Sequence, residues 1–170
     1  MKQMFFLSLM LVISGCTSGP TYKDSFSKMT AVPHNRARIT LFRTTESNLF
    51  IARKAPIELD GVKIGGVGYG GFISKDIDIG DHVLRSELWD SPGSCEVAFR
   101  IEVPGKEYFF EVAPRAEANN AFQQGATIFF PIITGMAALA EESRNNPCGG
   151  LFAIMPMPRN KAQAKLFDSQ

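Results

Sequence analysis

Charge of one sign, histidine, cysteine and tryptophan are all scarce in this chain. Its 170 residues carry 18 Lys and Arg against 17 Asp and Glu, a formal net charge of +1. Gripping nucleic acid requires a clustered basic excess that displaces counterions from phosphates, so no nucleic-acid partner is expected. The two histidines, His34 and His82, are far apart, and no cysteine has a second one at ligand spacing. Neither a metal site nor a cofactor is expected. There is no GxSxG, no HExxH and no acidic pair whose spacing singles it out, and a hydrolase would need a nucleophile, a base and an orienting group together. The chain reads as a non-enzyme. An apolar run of roughly 18 residues, the minimum for a membrane span, is also missing.

What is present begins at the N-terminus. Met1 and Lys2 form a basic start, Met4 to Ile13 is apolar, and Ser14 and Gly15 are small residues ahead of Cys16. This is the layout of a cleaved secretory signal. The order Ile13, Ser14, Gly15, Cys16 is similar to the lipobox of bacterial lipoproteins. The similarity implies that residues 1–15 are removed and that Cys16 carries a diacylglycerol thioether. Each buried CH₂ contributes about 0.8 kcal/mol, so more than one acyl chain anchors stably. Thr17 stands where an Asp would resemble an inner-membrane retention signal. The expected location is therefore the outer membrane, on the periplasmic side of the cell envelope.

Loss of Lys2 leaves a balanced mature chain that is long enough for one domain. With 14 Phe and 45% hydrophobic residues it can fill a sizeable core. Residues 17–35 are polar, carry Pro20 and Pro33, and show no sustained apolar period. They read as a flexible tether with an r.m.s. span of about 25 Å. An exported chain with Cys95 and Cys148 left over favours a disulfide between them, two free buried thiols being the alternative.

From Arg38 onwards the apolar residues alternate. Ile39 and Leu41 mark a first strand, and Ile57 and Leu59 enter Asp60-Gly61 while Val62 and Ile64 leave it. Both central residues of such a two-residue turn take φ > 0, which Asp-Gly tolerates, so a hairpin is expected. Gly66, Gly68 and Gly71 spell a formal GxGxxG, but a phosphate-binding turn must open a helix. Phe72 to Ile79 alternates as a strand instead, and the glycines read as a mobile or bulged connection. Gly80 and Asp81 are expected to turn the chain into a strand over His82 to Trp89. Cys95 to Val103 alternates without a break, and Pro104-Gly105-Lys106 should close an antiparallel hairpin with Tyr108 to Val112. Ala126 to Ala140 is an apolar run, with residues 127–130 strand-like and a helix near 132–144 expected to cover the sandwich. A last strand over Leu151 to Met155 and a short helix over Lys161 to Phe167 complete the reading. Half-buried strands between short turns favour an antiparallel β-sandwich over residues 36–157, followed by a tail at 158–170.

Arg38 to Arg43, Pro56 to Gly61 with Ile64 and Gly65, and Ile79, Gly80 and His82 resemble a PEGA-like pattern of strand, Asp-Gly hairpin, strand and Gly-x-His. It is similar to a domain of unknown function in small bacterial lipoproteins, where a cysteine before a long strand and a later Cys-Gly-Gly recur. Cys95 and Cys148, Gly149, Gly150 occupy matching places. The resemblance implies an immunoglobulin-like or PEGA-like sandwich in the cell envelope and supplies no activity. Asp60, Gly61, Gly80 and His82 are expected in structural turns, with His82 bonding its own turn. Arg36, Arg38, Arg43, Arg53 and Arg100 are expected on a solvated mixed surface. Two functions remain open: an interaction module exposing a sandwich surface or edge strand to an envelope protein, or a small-ligand or glycan site built from the glycine loop, Tyr69, Trp89 and nearby arginines.

Overall fold

In β1 (Ala37–Phe42) all six residues are buried, including the polar Arg38 and Thr40, whose side chains bond Asp76, Ser74 and Glu107. Ile39 and Leu41 point into the main core, while Phe42 belongs to a second apolar cluster with Tyr22 and Phe109. That places β1 inside a layered molecule. The structure, a computed structural model, describes residues 22–116 and 148–168. The lipobox Ile13 to Cys16, the apolar run Ala126 to Ala140 and the helix expected near 132–144 lie outside the described residues.

The remaining strands among the described residues are β2 (Ala55–Leu59), β3 (Val62–Val67), β4 (Phe72–Ile77), β5 (Gly80–Glu87), β6 (Ser94–Ile101), β7 (Glu107–Pro114) and β8 (Phe152–Met157). Among the described residues two short helices, α1 (Tyr22–Phe26) and α2 (Arg159–Asp168), flank them. The strands form two four-stranded sheets, ordered β4-β1-β7-β8 and β3-β2-β5-β6. The protein is mainly β and sandwich-like, as its alternation predicts. Between the sheets lie Ile39, Leu41, Ile57, Leu84, Ile101, Phe110, Val112 and Ile154. Removing such side chains from water, at about 25 cal/mol per Å² of apolar surface, is the main driving force for the fold.

The Asp60-Gly61 hairpin forms as expected, with φ of 51° and 77° at its two central residues. Beside it β3 carries a bulge at Ile64, which is skipped where Ile57 and Glu58 of β2 face Gly65 and Lys63. The glycine cluster divides. Gly65 and Gly66 lie within β3, opposite Ile57 and Pro56, and residues 68–71 turn the chain into β4 rather than into a helix. A dinucleotide cradle is thereby excluded at this position, since no helix N-terminus follows the glycines.

Three expectations are corrected. The pairing β1–β7 is parallel, with Leu41 opposite Phe110, so the sheets are not wholly antiparallel. Pro104-Gly105-Lys106 does not close a hairpin, because β6 pairs with β5 while β7 joins the other sheet. The turn is captured by the start of β1: Gly105 N–H donates to Arg36 O at 2.7 Å, and Arg38 N–H to Lys106 O at 2.9 Å. Those bonds swing the chain across the sandwich into parallel register with β1.

The third correction concerns the tether, of which residues from Tyr22 onwards pack on the domain. Tyr22 is fully buried, with its ring 5.1 Å from that of Phe72 and 5.7 Å from that of Phe167. Arg38 Nη1 also donates to Thr30 O at 2.8 Å. A single large aromatic, worth up to about 3 kcal/mol on burial, anchors a stretch whose composition is otherwise that of a linker. The outer faces of the sheets consequently differ. The β4-β1-β7-β8 sheet is covered by α1 and α2, whereas β2, β5 and β6 turn outward a lattice of ion pairs centred on Arg85, which meets Glu87 at 2.5 Å and Glu96 at 3.1 Å.

Candidate functional site

Strand directions collect the connections 43–54, 68–71 and 88–93, and the approach to β8, at one end of the sandwich. The residue that organises this end is Arg43, which follows β1 directly and is only 2% exposed. Its Nη1 donates to Arg53 O at 2.9 Å and its Nη2 to Leu49 O. The guanidinium lies 5.0 Å from the ring centre of Phe152 and 5.7 Å from that of Tyr69, within cation–π range. Burial pushes its pKa down, yet an arginine stays charged at any physiological pH. The 43–54 connection is thus wrapped around a buried cation that binds its carbonyls, with Phe50 held at φ 52°.

Neighbouring contacts extend the brace. Tyr69 Oη donates toward Thr45 O at 2.9 Å and lies 3.1 Å from Asn48 Oδ1, linking the glycine turn to the same loop. At Gly70, φ is 65° and an added Cβ would come 3.1 Å from Thr45 Cγ2, so both the backbone conformation and the tight approach favour glycine. Arg53 grips Asp90 through two parallel bonds of 2.8 and 2.7 Å. The bond from Arg53 holds the Asp90 carboxyl below the usual carboxylate range. The 88–93 turn is thereby tied to the 43–54 loop.

The third fastening is the cysteine pair. Cys95 and Cys148 stand at disulfide distance and also form a β-bridge, at the point where β6 leaves the 88–93 turn. Gly150 follows closely: its N–H donates to Ser94 O at 3.2 Å, and an added Cβ would meet Gly93 O at 3.1 Å. Arg115 Nη1 donates to Gly150 O at 3.1 Å. On this braced end Trp89 is 95% exposed and Ile51 55% exposed. Trp89 adjoins Asp90, and Ile51 lies two residues before Arg53, so the two exposed side chains flank the ion pair that ties these loops together.

At the opposite end His82 joins two turns. Its Nδ1 lies 2.7 Å from Asp60 Oδ2 and its Nε2 3.0 Å from Asp78 O. Both ring nitrogens face acceptors, and only the imidazolium can donate from both. Burial alone would lower the His82 pKa, but the bonds and charges of Asp60 and Asp78 outweigh it and raise it above the ordinary imidazole value. The His82 bond in turn lowers the pKa of Asp60, which also accepts from Val83 N–H at 2.8 Å. His82 therefore bonds within its own turn, at Asp78, and also across to the Asp-Gly hairpin. A ring held by acceptors at both nitrogens is a poor general base. Gly80, with φ 137°, is the first residue of β5 and Asp81 the second; the turn itself falls two residues earlier, at residues 78–79.

The arginines do not gather into one face. Arg36 meets Asp78 at 3.0 Å, Arg38 grips Asp76 at 2.6 and 3.0 Å, and Arg100 reaches Asp81 at 3.2 Å. Arg38 and Arg43 are buried rather than solvated, because a second layer covers Arg38 and a loop encloses Arg43. Tyr69 and Trp89 do occupy the same end, as does the glycine turn. Their roles differ, since the Tyr69 hydroxyl is engaged within the chain whereas the Trp89 ring is open to solvent. The bracing role of Arg43 and the burial of Tyr22 escaped the sequence reading, because no local pattern indicates which distant carbonyls or rings will converge on them. Among the described residues no group of three His, Cys, Asp or Glu side chains could hold a metal ion, and no helix is long and apolar enough to cross a membrane. Comparison with protein-family models and with curated proteins finds no match.

Proposed function

We propose that this protein is a non-catalytic module of the bacterial cell envelope, lipid-anchored through Cys16 at the outer membrane and facing the periplasm. It presents the loop end of its sandwich to a protein partner. The observation that carries the reading is Trp89, 95% exposed on a turn made rigid by Arg53, Asp90 and the cysteine pair. Tryptophan brings a large contact area for little entropy, and it is enriched among the few residues that dominate binding energy at interfaces. A pre-braced backbone lowers the ordering cost of association.

The small-ligand or glycan reading uses the same end but needs polar groups directed outward. Here the Tyr69 hydroxyl and the Arg53 guanidinium are engaged by groups of the chain itself, and the Arg43 guanidinium is buried, with both terminal nitrogens bonded to loop carbonyls. That balance favours a protein partner over a sugar.

The test is affinity capture from envelope extracts with the full lipidated chain, its Trp89→Ala variant and a proline variant of edge strand β3. Truncating Trp89 should weaken capture of a discrete protein by about 2 kcal/mol, or roughly 30-fold, as for an interface hot spot. Loss of capture with the β3 proline and retention with Trp89→Ala would move the contact to a sheet edge, where backbone groups carry affinity. Binding of glycan but no protein would overturn the proposal in favour of the ligand reading.

A further inference from the structure

On the outer face of the β4-β1-β7-β8 sheet, Phe42 and Phe109 are capped by Tyr22 from α1 and by Ala162 and Leu166 from α2. The cap does not end in a polar surface. Phe26 is 44% and Phe167 38% exposed, and their rings lie 5.8 Å apart, each packed against Tyr22. Lys23 and Lys28 around α1, with Arg159 and Lys161 on α2, are exposed on the same two segments that carry this aromatic pair. Over residues 22–30 and 159–168 the chain carries five basic residues against two acidic ones. Aromatic side chains rimmed by Lys and Arg are the composition that lies at a lipid headgroup boundary.

Chain length points to the same surface. Tyr22 is six residues beyond Cys16, and at no more than 3.6 Å per residue that connection reaches about 20 Å. A domain fastened at Tyr22 cannot stand far from a bilayer that holds Cys16. The face carrying α1 is the one nearest the point of attachment.

We infer that the α1–α2 face seats on the anionic phospholipid surface, so that the charged face of β2, β5 and β6 turns away from the membrane and the Trp89 end points along it. The inference rests on the reading of Cys16 as the lipid anchor, and it restricts the partner to one reachable at bilayer level.

The experiment uses the full lipidated chain reconstituted into phosphatidylglycerol-containing vesicles, with a fluorophore on a cysteine introduced by Ser27→Cys or by Lys63→Cys. Nitroxide-headgroup lipids should quench the label at position 27 about threefold or more strongly than that at position 63, since the contact is confined to one face. Equal quenching, or stronger quenching at position 63, would overturn the inference. Intact mass reports the lipid on Cys16 separately. If no lipid is present the anchor reading fails, and cosedimentation of the same unlipidated chain with those vesicles then decides the face by itself. Binding there would sustain the lipid-facing surface, and its absence would overturn it. In the unlipidated Cys16→Ser chain, Lys28→Gln, Arg159→Gln and Lys161→Gln together should lower partitioning on the order of 100-fold, from about 1 kcal/mol per basic residue at an anionic surface. Unchanged partitioning by that triple variant would also overturn the inference.

Discussion

Replacing Arg43 by Met keeps most of the side-chain volume and removes the guanidinium. The two carbonyls of Leu49 and Arg53 then lose their donors while the 43–54 loop is still folded around them. Hydrogen bonds to a charged group are worth about 1.5–3 kcal/mol each, which sets the gross loss at roughly 3–6 kcal/mol. Removing a buried charge returns part of this, because a desolvated cation is costly to hold. The expected net destabilisation is about 2–4 kcal/mol. The loop is at the surface, so the freed carbonyls can reach water if it opens, and the loss should appear first as local opening. Hydrogen exchange in the full chain should show faster exchange at Arg53 N–H, which donates to Phe50 O at 2.9 Å, and at Arg43 N–H, which donates to Gly71 O at 3.0 Å. Urea unfolding gives the global value. An Arg43→Met protein within about 0.5 kcal/mol of the parent, with unchanged exchange at both amides, would refute the view that this cation organises the loop end, since that is the range of ordinary surface substitutions.

Three further outcomes are expected. Reducing the Cys95–Cys148 pair, whose members are 53 positions apart, should cost about 2–4 kcal/mol in thermal or urea unfolding; an unchanged midpoint under reductant would contradict a disulfide contribution to stability. The His82–Asp60 pair should stabilise the fold most in the mildly acidic range. The raised His82 pKa contributes fully below the ordinary imidazole value of about 6.5 and is lost as pH rises through the folded value, whereas the depressed Asp60 pKa contributes above about 3.9 and is lost as pH falls through its folded value. His82→Gln should flatten that pH profile, and an identical profile would count against the pair. Tyr22→Ala should lose about 3–5 kcal/mol if α1 is a fixed part of the fold, measured by urea unfolding of the full chain, whereas a true tether would lose nothing.

The features legible in the sequence were those governed by neighbours along the chain. Asp60-Gly61 set its own turn, and Cys95 to Ile101 announced a strand by alternation alone. Burial on both faces of β1 was harder to see, since Arg38 and Thr40 read as solvent residues until α1 and α2 cover them. Thr40 Oγ1 in fact lies 2.8 Å from Glu107 Oε1 and 2.9 Å from Ser74 Oγ, so its polarity is satisfied beneath that layer. The parallel pairing of β1 and β7 escaped for a related reason. A tight turn after β6 signals reversal, and only the distant amides and carbonyls of residues 36–38 decide which sheet receives the next strand. At the loop end Trp89 and Tyr69 were both singled out by residue type. Their division of labour depends on Thr45, Asn48 and Arg53 of the 43–54 loop and on Asp90 of the 88–93 turn, which are far apart in sequence.

The central claim is that the braced loop end meets a protein, and in-cell photo-crosslinking tests it most directly. A photoreactive residue in place of Trp89 should give a discrete protein adduct identifiable by mass spectrometry, while the same residue in place of Lys63 on β3 should not. Adducts from position 63 without any from position 89, or only lipid and glycan adducts from position 89, would contradict the account.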